Sequence, residues 1–289
     1  MKLKGIQNIF HAELDTIYGK KEVDSFFHIL IEYYFDLPKY YLALDPDFTL
    51  SKEEQALMIK ALHDLKQERP IQYIMGVSDF LGMPIKVNEN VLIPRPETEE
   101  LVGWVFKEIK NLDKQEIRVL DVGTGSGCIA IAIAKEFPGT EVYAIDVNNK
   151  ILSLARENAQ LNEVAVTFVR SDVLNHPSKV RWADISFDII VSNPPYVRYA
   201  EKRYMHNNVL KNEPHLALFV EDSNPLKFYD AISELALENL TDKGQLFFEI
   251  NAYMAQDMYN LLFNKGFEQI ELRQDIFGKD RMIKAIKEK

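Results

Sequence analysis

The chain has 289 residues, 47% of them hydrophobic, with one cysteine and a formal net charge of −10 from 34 Lys plus Arg against 44 Asp plus Glu. That length and apolar content exceed what one small core needs, which predicts two folded domains and excludes a disordered chain. A lone Cys128 excludes an intrachain disulfide and a cysteine-based metal cluster, and the negative charge opposes the counterion release that drives duplex binding, so no direct nucleic-acid partner is expected.

Nothing after Met1-Lys2-Leu3-Lys4 is apolar for long enough to be a signal peptide or a spanning helix, which predicts a cytoplasmic protein with no membrane partner. Val23, Phe26, Phe27, Leu30, Ile31 and Tyr34 recur on one helical face, and Pro38 stops the pattern. Ser51 and Glu54 form a capping-box pattern ahead of a second helix, with Leu57, Met58, Ala61, Leu62 and Leu65 on one side. Residues 1–70 therefore read as a small helical packing or partner-recognition domain without a nucleotide-binding signature.

From Tyr73 to Pro96 helical periodicity is lost, and Gly76, Gly82, Pro84, Pro94 and Pro96 punctuate short apolar pieces. A hairpin and an extended linker over 71–96 are expected. Beyond it, β-type runs at 118–121, 141–146, 166–170, 187–192 and 245–250 alternate with helical segments. This alternation predicts, for 97–289, a mainly parallel sheet covered by helices on both faces.

Leu120-Asp121-Val122-Gly123-Thr124-Gly125-Ser126-Gly127 closes the first of these strands and opens a helix near Cys128, itself read as a small apolar side chain in that helix. Three glycines in five residues allow a sharp turn and a close approach to a ligand. The dinucleotide spacing would put a third small residue at position 128, where Cys128 stands, so the loop points to a ligand without a pyrophosphate, such as S-adenosylmethionine. Asp146 ends the next strand, where a carboxylate can accept from both hydroxyls of a ribose. Asp172, after the third strand, can accept from an adenine amine while the Val173 N–H donates to a ring nitrogen. Either aspartate could instead cap a helix or turn.

Val191-Ser192-Asn193-Pro194-Pro195-Tyr196 follows the fourth strand, at the edge where open α/β sheets bind ligands. The two prolines stiffen the segment and remove two donors, leaving carbonyls as acceptors. Such a site suits a planar NH2 group: the Asn193 side-chain oxygen and the Pro194 carbonyl can accept its two N–H bonds, and Tyr196 can pack against its plane. An amide nitrogen is a weak nucleophile, so the site must orient it towards an already activated methyl. Asn193, Pro194 and Tyr196 are the expected catalytic residues, with Pro195 a further substrate contact. The six histidines are scattered, and neither a metal nor a covalent intermediate is required.

Several motifs in order identify a resemblance: Arg69 to Gly76, Leu92 to Glu99, Gly123 to Ile131, Asn193 to Tyr196, Glu213-Pro214 with Ala217-Leu218, and Asp280-Arg281. From about residue 69 onward the chain resembles the HemK/PrmC-type protein-glutamine methyltransferases, which act on the Gly-Gly-Gln motif of class I peptide chain release factors. The resemblance implies an N-terminal helical bundle, a β-hairpin linker and a class I, Rossmann-like S-adenosylmethionine-dependent methyltransferase domain with a seven-stranded sheet. It implies cofactor contacts at the loop from Asp121 through Gly123, Thr124, Gly125, Ser126 and Gly127, at Asp146, at Asp172 or Val173, and at Asn193. S-adenosylhomocysteine would be the product, the release factor the partner, and a monomer the working form. Asn251 departs from the family's usual glycine, which puts the backbone shape after the fifth strand in question. The alternatives are a DNA adenine methyltransferase, whose amine would fit the same acceptors, a glutamine methyltransferase for a large-subunit ribosomal protein, and an idle cofactor-binding scaffold. The stretch after Tyr196 completes the sheet and leaves little room for a base-recognition domain.

Overall fold

The computed structural model describes residues 1–175 and 185–288, and by contacts they fall into two units, Met1–Gly76 with His206–Asn212, and Val77–Met205 with Glu213–Lys289.

The first unit contains α1 (Leu3–Tyr18), α2 (Lys20–Phe35), α3 (Tyr41–Leu44), α4 (Lys52–Lys66) and α5 (Ile71–Met75). Leu3, Ile6, Phe10 and Leu14 of α1 interlock with Val23, Phe27, Leu30 and Ile31 of α2 and with Met58, Ala61, Leu62 and Leu65 of α4. The i, i+3, i+4 spacing that predicted the second and third of these sets is the spacing that buries them. Leu57 departs from expectation: it is 43% exposed, because the buried face centres on Met58, Ala61 and Leu65, and Leu57 lies at its rim. The capping box at α4 is formed, the Glu54 N–H donating to Ser51 Oγ at 3.1 Å and the Ser51 N–H to Glu54 Oε2 at 2.7 Å. Helix continues through Tyr73 to Met75, further than the loss of periodicity suggested, and Gly76 ends it at φ 74°. The stretch 206–212 joins this unit through Lys211, paired with Glu68, and Asn212, whose amide donates to the Glu68 carbonyl.

The second unit opens with a hairpin, β1 (Val77–Phe80) and β2 (Met83–Lys86), turned at Leu81-Gly82, both at positive φ as a two-residue hairpin turn requires. Then come α6 (Pro96–Asn111), β3 (Arg118–Val122), α7 (Cys128–Glu136), β4 (Glu141–Asp146), α8 (Asn149–Leu161), β5 (Thr167–Arg170), β6 (Phe187–Ser192), β7 (Val197–Arg198) and α9 (Asn207–Asn212), which belongs to the helical unit. The chain continues through α10 (His215–Leu218), β8 (Phe219–Val220), α11 (Lys227–Asn239), β9 (Leu240–Glu249), α12 (Ala255–Asn264), β10 (Phe267–Gln274) and β11 (Asp280–Lys287).

Among the described residues seven strands form one sheet in the order β10-β11-β9-β6-β3-β4-β5. β9, β6, β3, β4 and β5 are parallel, and β11 is antiparallel to both β9 and β10. All six residues of β6 are buried, as a strand covered on both faces demands. One face carries Leu120, Val122, Ile190, Leu246 and Phe248 against α11 and α12. The alternate residues face the other way, where Trp104 of α6 meets Phe247 edge-on at 5.4 Å. The chain runs outward from β3 through β4 to β5 and then returns to β6 on the other side, so the switch point lies between β3 and β6, and the carboxyl ends of strands at such a point are where open α/β sheets bind ligands.

Candidate active site

The glycine loop leaves β3 at that switch point. Gly123, Gly125 and Gly127 all have positive φ, and at Gly127 (φ 86°) a Cβ would lie 3.1 Å from Ile131 Cδ1 and 3.2 Å from Ala155 Cβ. Glycine is thus needed there for both backbone shape and the approach of α7 to α8. Four loop amides are already used: Gly123 and Thr124 N–H both donate to the Ile145 carbonyl, Gly125 N–H to Asp146 Oδ2, and Gly127 N–H to the Thr124 carbonyl. With these four turned inward the loop presents few donors to a pyrophosphate. It suits a ligand recognised by acceptors.

Acceptors are present. Asp121 is completely buried; its Oδ2 accepts from Thr124 Oγ1 at 2.6 Å, while Oδ1 has no partner among the described residues. Burial pushes its carboxyl up to about 7, opposed by the Thr124 hydrogen bond and by the nearby Ala130 N–H, which lies outside hydrogen-bond geometry. An orphaned carboxylate oxygen beside a glycine loop fits a ligand ammonium such as the one S-adenosylmethionine carries. Asp146 ends β4 with its carboxylate accepting from Gly125 and Asn148 N–H; each oxygen keeps a lone pair for a ribose hydroxyl. Its carboxyl is also raised by burial. Asp172 is placed differently: its oxygens accept from Leu174 N–H and the Asn175 amide, so the carboxylate caps its own turn. Val173 is half-buried and packs on the sheet core. Cys128 is buried in the first turn of α7, and burial pushes its thiol up to about 12.

Asn193 to Tyr196 follows β6 directly beside the glycine loop, and Ser192 Oγ ties the two strand ends by donating to the Val122 carbonyl at 2.6 Å. Pro194 is buried, Asn193, Pro195 and Tyr196 half-buried. The organising group is one that the motif does not contain. Glu249, the last residue of β9, is 1% exposed and accepts three side-chain donors: Thr98 Oγ1 at 2.6 Å and Asn193 Nδ2 at 2.9 Å on Oε2, and Tyr196 hydroxyl at 2.9 Å on Oε1. Asn193 Nδ2 also donates to Thr98 Oγ1 at 3.1 Å. The Asn193 NH2 end is thereby spent, which leaves its Oδ1 to act as an acceptor. Tyr196 is less free than a simple stacking wall, because its hydroxyl is anchored. Burial, and then the Glu249 charge, hold that phenol well above 10. Glu249 itself is raised by burial against the stabilising bonds from Thr98 and Tyr196 and the nearby Arg281.

Thr98 and Glu249 had no assigned role in the sequence reading. A signal existed: Glu249 is the only charged residue in Leu246-Phe247-Phe248-Glu249-Ile250, and a lone carboxylate closing a buried strand requires a partner. The questioned Asn251 has an ordinary extended backbone, φ −69° and ψ 124°, so no glycine is needed. Its amide donates to the Tyr196 carbonyl at 3.2 Å and to Glu201 Oε2 at 2.9 Å, closing the segment that follows the motif. Other motif pieces also meet. Arg95 pairs with buried Glu213, and Arg281 donates to Asp275 and to the Ile250 carbonyl. Asn158 of α8, fully buried, receives Lys86 N–H and donates to the Lys86 and Ser126 carbonyls, binding the hairpin to the glycine loop. Among the described residues no helix is long and apolar enough to cross a membrane.

Two family models match the chain, the Methyltransferase small domain over residues 108–218 and the PrmC N-terminal domain over residues 13–76. The release factor glutamine methyltransferase of Flavobacterium psychrophilum is 48% identical over 286 residues, 99% of each chain. That of Bacteroides thetaiotaomicron is 41% identical over 272 residues, 94% of this chain and 95% of the other. Among solved structures, a methyltransferase from Pyrococcus furiosus covers 83% of this chain and 100% of its own with a TM-score of 0.51 and 16% identity, a likeness of fold alone.

Proposed function

The chain belongs to the release factor glutamine methyltransferases, and from that premise we propose that it transfers a methyl group from S-adenosylmethionine to the side-chain amide nitrogen of the glutamine in the Gly-Gly-Gln motif of class I peptide chain release factors. The observation that carries this reading is the fixed Asn193 amide, whose NH2 end is taken up by Glu249 and Thr98 so that Oδ1 is left to receive an N–H.

In this reading Asn193 Oδ1 and the Pro194 carbonyl accept the two N–H bonds of the substrate amide, and the prolines hold those acceptors still. The cofactor, when bound, supplies a methyl already activated by its sulfonium. Asp121 holds the cofactor's ammonium and Asp146 its ribose hydroxyls. Gly123 to Gly127 allow close backbone approach, and Asp172 with Val173 borders the adenine, Asp172 acting only through the lone pairs its own turn leaves. Transfer would break the sulfonium–methyl bond, leaving S-adenosylhomocysteine, and Asn193 Oδ1 and the Pro194 carbonyl would stabilise the positive charge on the methylated nitrogen through its N–H bonds until one proton passes to solvent. Tyr196, anchored by Glu249, limits the amide's tilt. The helical unit docks the body of the release factor, and the enzyme works as a cytoplasmic monomer.

Purified protein should transfer labelled methyl to a release factor and leave its Gly-Gly-Gln Gln→Ala variant unlabelled, with mass spectrometry placing the mass gain on that glutamine. Equal labelling of both proteins would refute the assignment.

A further inference from the structure

We infer that Glu249 is a specificity-determining positioning residue: through Thr98 it locks the flip state of the Asn193 amide, and so makes the site accept a glutamine and reject a glutamate in the same loop. The inference rests on the proposed function and adds to it the discrimination between an amide and its hydrolysed form.

An asparagine amide can be turned end for end at little steric cost, and only its hydrogen-bond partners decide which end faces a ligand. Here two partners decide in the same sense. Glu249 Oε2 can only accept while the carboxylate is ionised, and it faces Asn193 Nδ2 at 2.9 Å. Thr98 has one hydroxyl proton, given to Glu249 at 2.6 Å, so at 3.1 Å it presents a lone pair to the same Nδ2. Thr98 is therefore a polarity relay: the carboxylate orients the hydroxyl, and both demand the NH2 end of Asn193. Tyr196 hydroxyl donates to the other carboxylate oxygen, so three donors converge on one group. A proton placed on Glu249 would oppose one of them. Arg281 favours the charged form, while Glu97 nearby and burial oppose it. Thr98 is 2% exposed, which leaves water little access to rescue a reversed amide.

With Oδ1 held outward, a substrate NH2 finds an acceptor. A substrate carboxylate finds acceptor against acceptor, and sites built on such a bond reject the mismatched group strongly. Glu249→Gln keeps the shape but introduces a donor. The Asn193 amide can then reverse, present its own NH2, and welcome a carboxylate.

The test is inhibition of methyl transfer to an intact release factor by two competitor factors, one carrying Gln→Glu and one Gln→Ala in the Gly-Gly-Gln loop. With the wild-type enzyme the Gln→Glu competitor should inhibit no better than Gln→Ala. With Glu249→Gln its inhibition relative to Gln→Ala should improve about tenfold or more, while affinity for S-adenosylhomocysteine stays within about twofold and kcat falls. A merely structural role for Glu249 would weaken both competitors alike. Should Glu249→Gln fail to fold, Thr98→Val removes the relay without adding a donor and should move the same ratio about threefold, with Thr98→Ser restoring it. A folded Glu249→Gln enzyme, or Thr98→Val when Glu249→Gln does not fold, with the wild-type ratio overturns the inference alone. A wild-type enzyme that leaves the factor's glutamine unmethylated overturns the proposed function and this inference with it.

Discussion

Asn193→Ala removes the Oδ1 acceptor while leaving the glycine loop and Asp146 in place, so turnover should fall by about 10² or more and cofactor affinity much less. Single-turnover rates together with calorimetric titration of S-adenosylhomocysteine separate the two effects; unchanged turnover would remove Asn193 from the chemistry. Asp121 makes a prediction about pH. Burial raises its folded carboxyl from the ordinary 3.8 to about 7, so the folded state binds the proton more tightly than the unfolded state. Its contribution therefore favours folding most below about pH 4 and declines as pH rises towards about 7. Asp121→Asn, neutral throughout, should gain in melting temperature relative to wild type between about pH 5 and about pH 8 without cofactor, and bound S-adenosylmethionine should narrow that gap. A pH-independent difference would count against the raised carboxyl. Asn193, the glycines and the strand-end aspartates were legible in sequence because each belongs to a local pattern. Glu249 was not, because its partners Thr98, Asn193 and Tyr196 lie far from it along the chain and only the sheet brings them together.

The elements were legible in proportion to how strongly burial shapes their composition. β3, β4, β6 and the end of β9 are nearly continuous apolar runs because helices cover both faces, whereas β10 alternates poorly and is mostly exposed or half-buried at the sheet edge. α1 carries Leu3, Ile6, Phe10 and Leu14 at helical spacing but lacks a side-chain cap, so its start had no mark. The crossing of α7 and α8 at Gly127 gives a test at this scale. Gly127→Ala must place a side chain at φ 86° and press on Ile131 and Ala155, and should cost about 2 kcal/mol in urea denaturation. A change smaller than a few tenths would mean that the two helices yield there. Asn158→Ala should weaken cofactor binding as well as stability, since Asn158 fixes the Ser126 carbonyl from outside the loop.

For the whole molecule, the acidic balance fits a protein substrate better than a nucleic acid, and the docking role proposed for the helical unit makes a prediction. A short Gly-Gly-Gln peptide carries only the methylated loop, so its KM should exceed that of the intact release factor by about tenfold or more while kcat changes less. Equal KM values would deny the helical unit a docking role. The bundle and the sheet were each readable from periodicity, but the membership of 206–212 in the helical unit was not, for nothing in Asn207-Asn208-Val209-Leu210-Lys211-Asn212 names its partner. Its Lys211 and Asn212 rest on Glu68, and the next residue, Glu213, is already bonded to Arg95 in the other unit's own framework. The helical unit is therefore assembled from two separate stretches of the chain. A gene that exchanged its first 76 codons with a distant relative would still encode a heptapeptide tailored to the lost bundle, a short walk from Tyr196. The first 76 residues and the stretch 206–212 are bound to be inherited as a matched pair, and a chimera should recover full turnover only when 206–212 travels with 1–76.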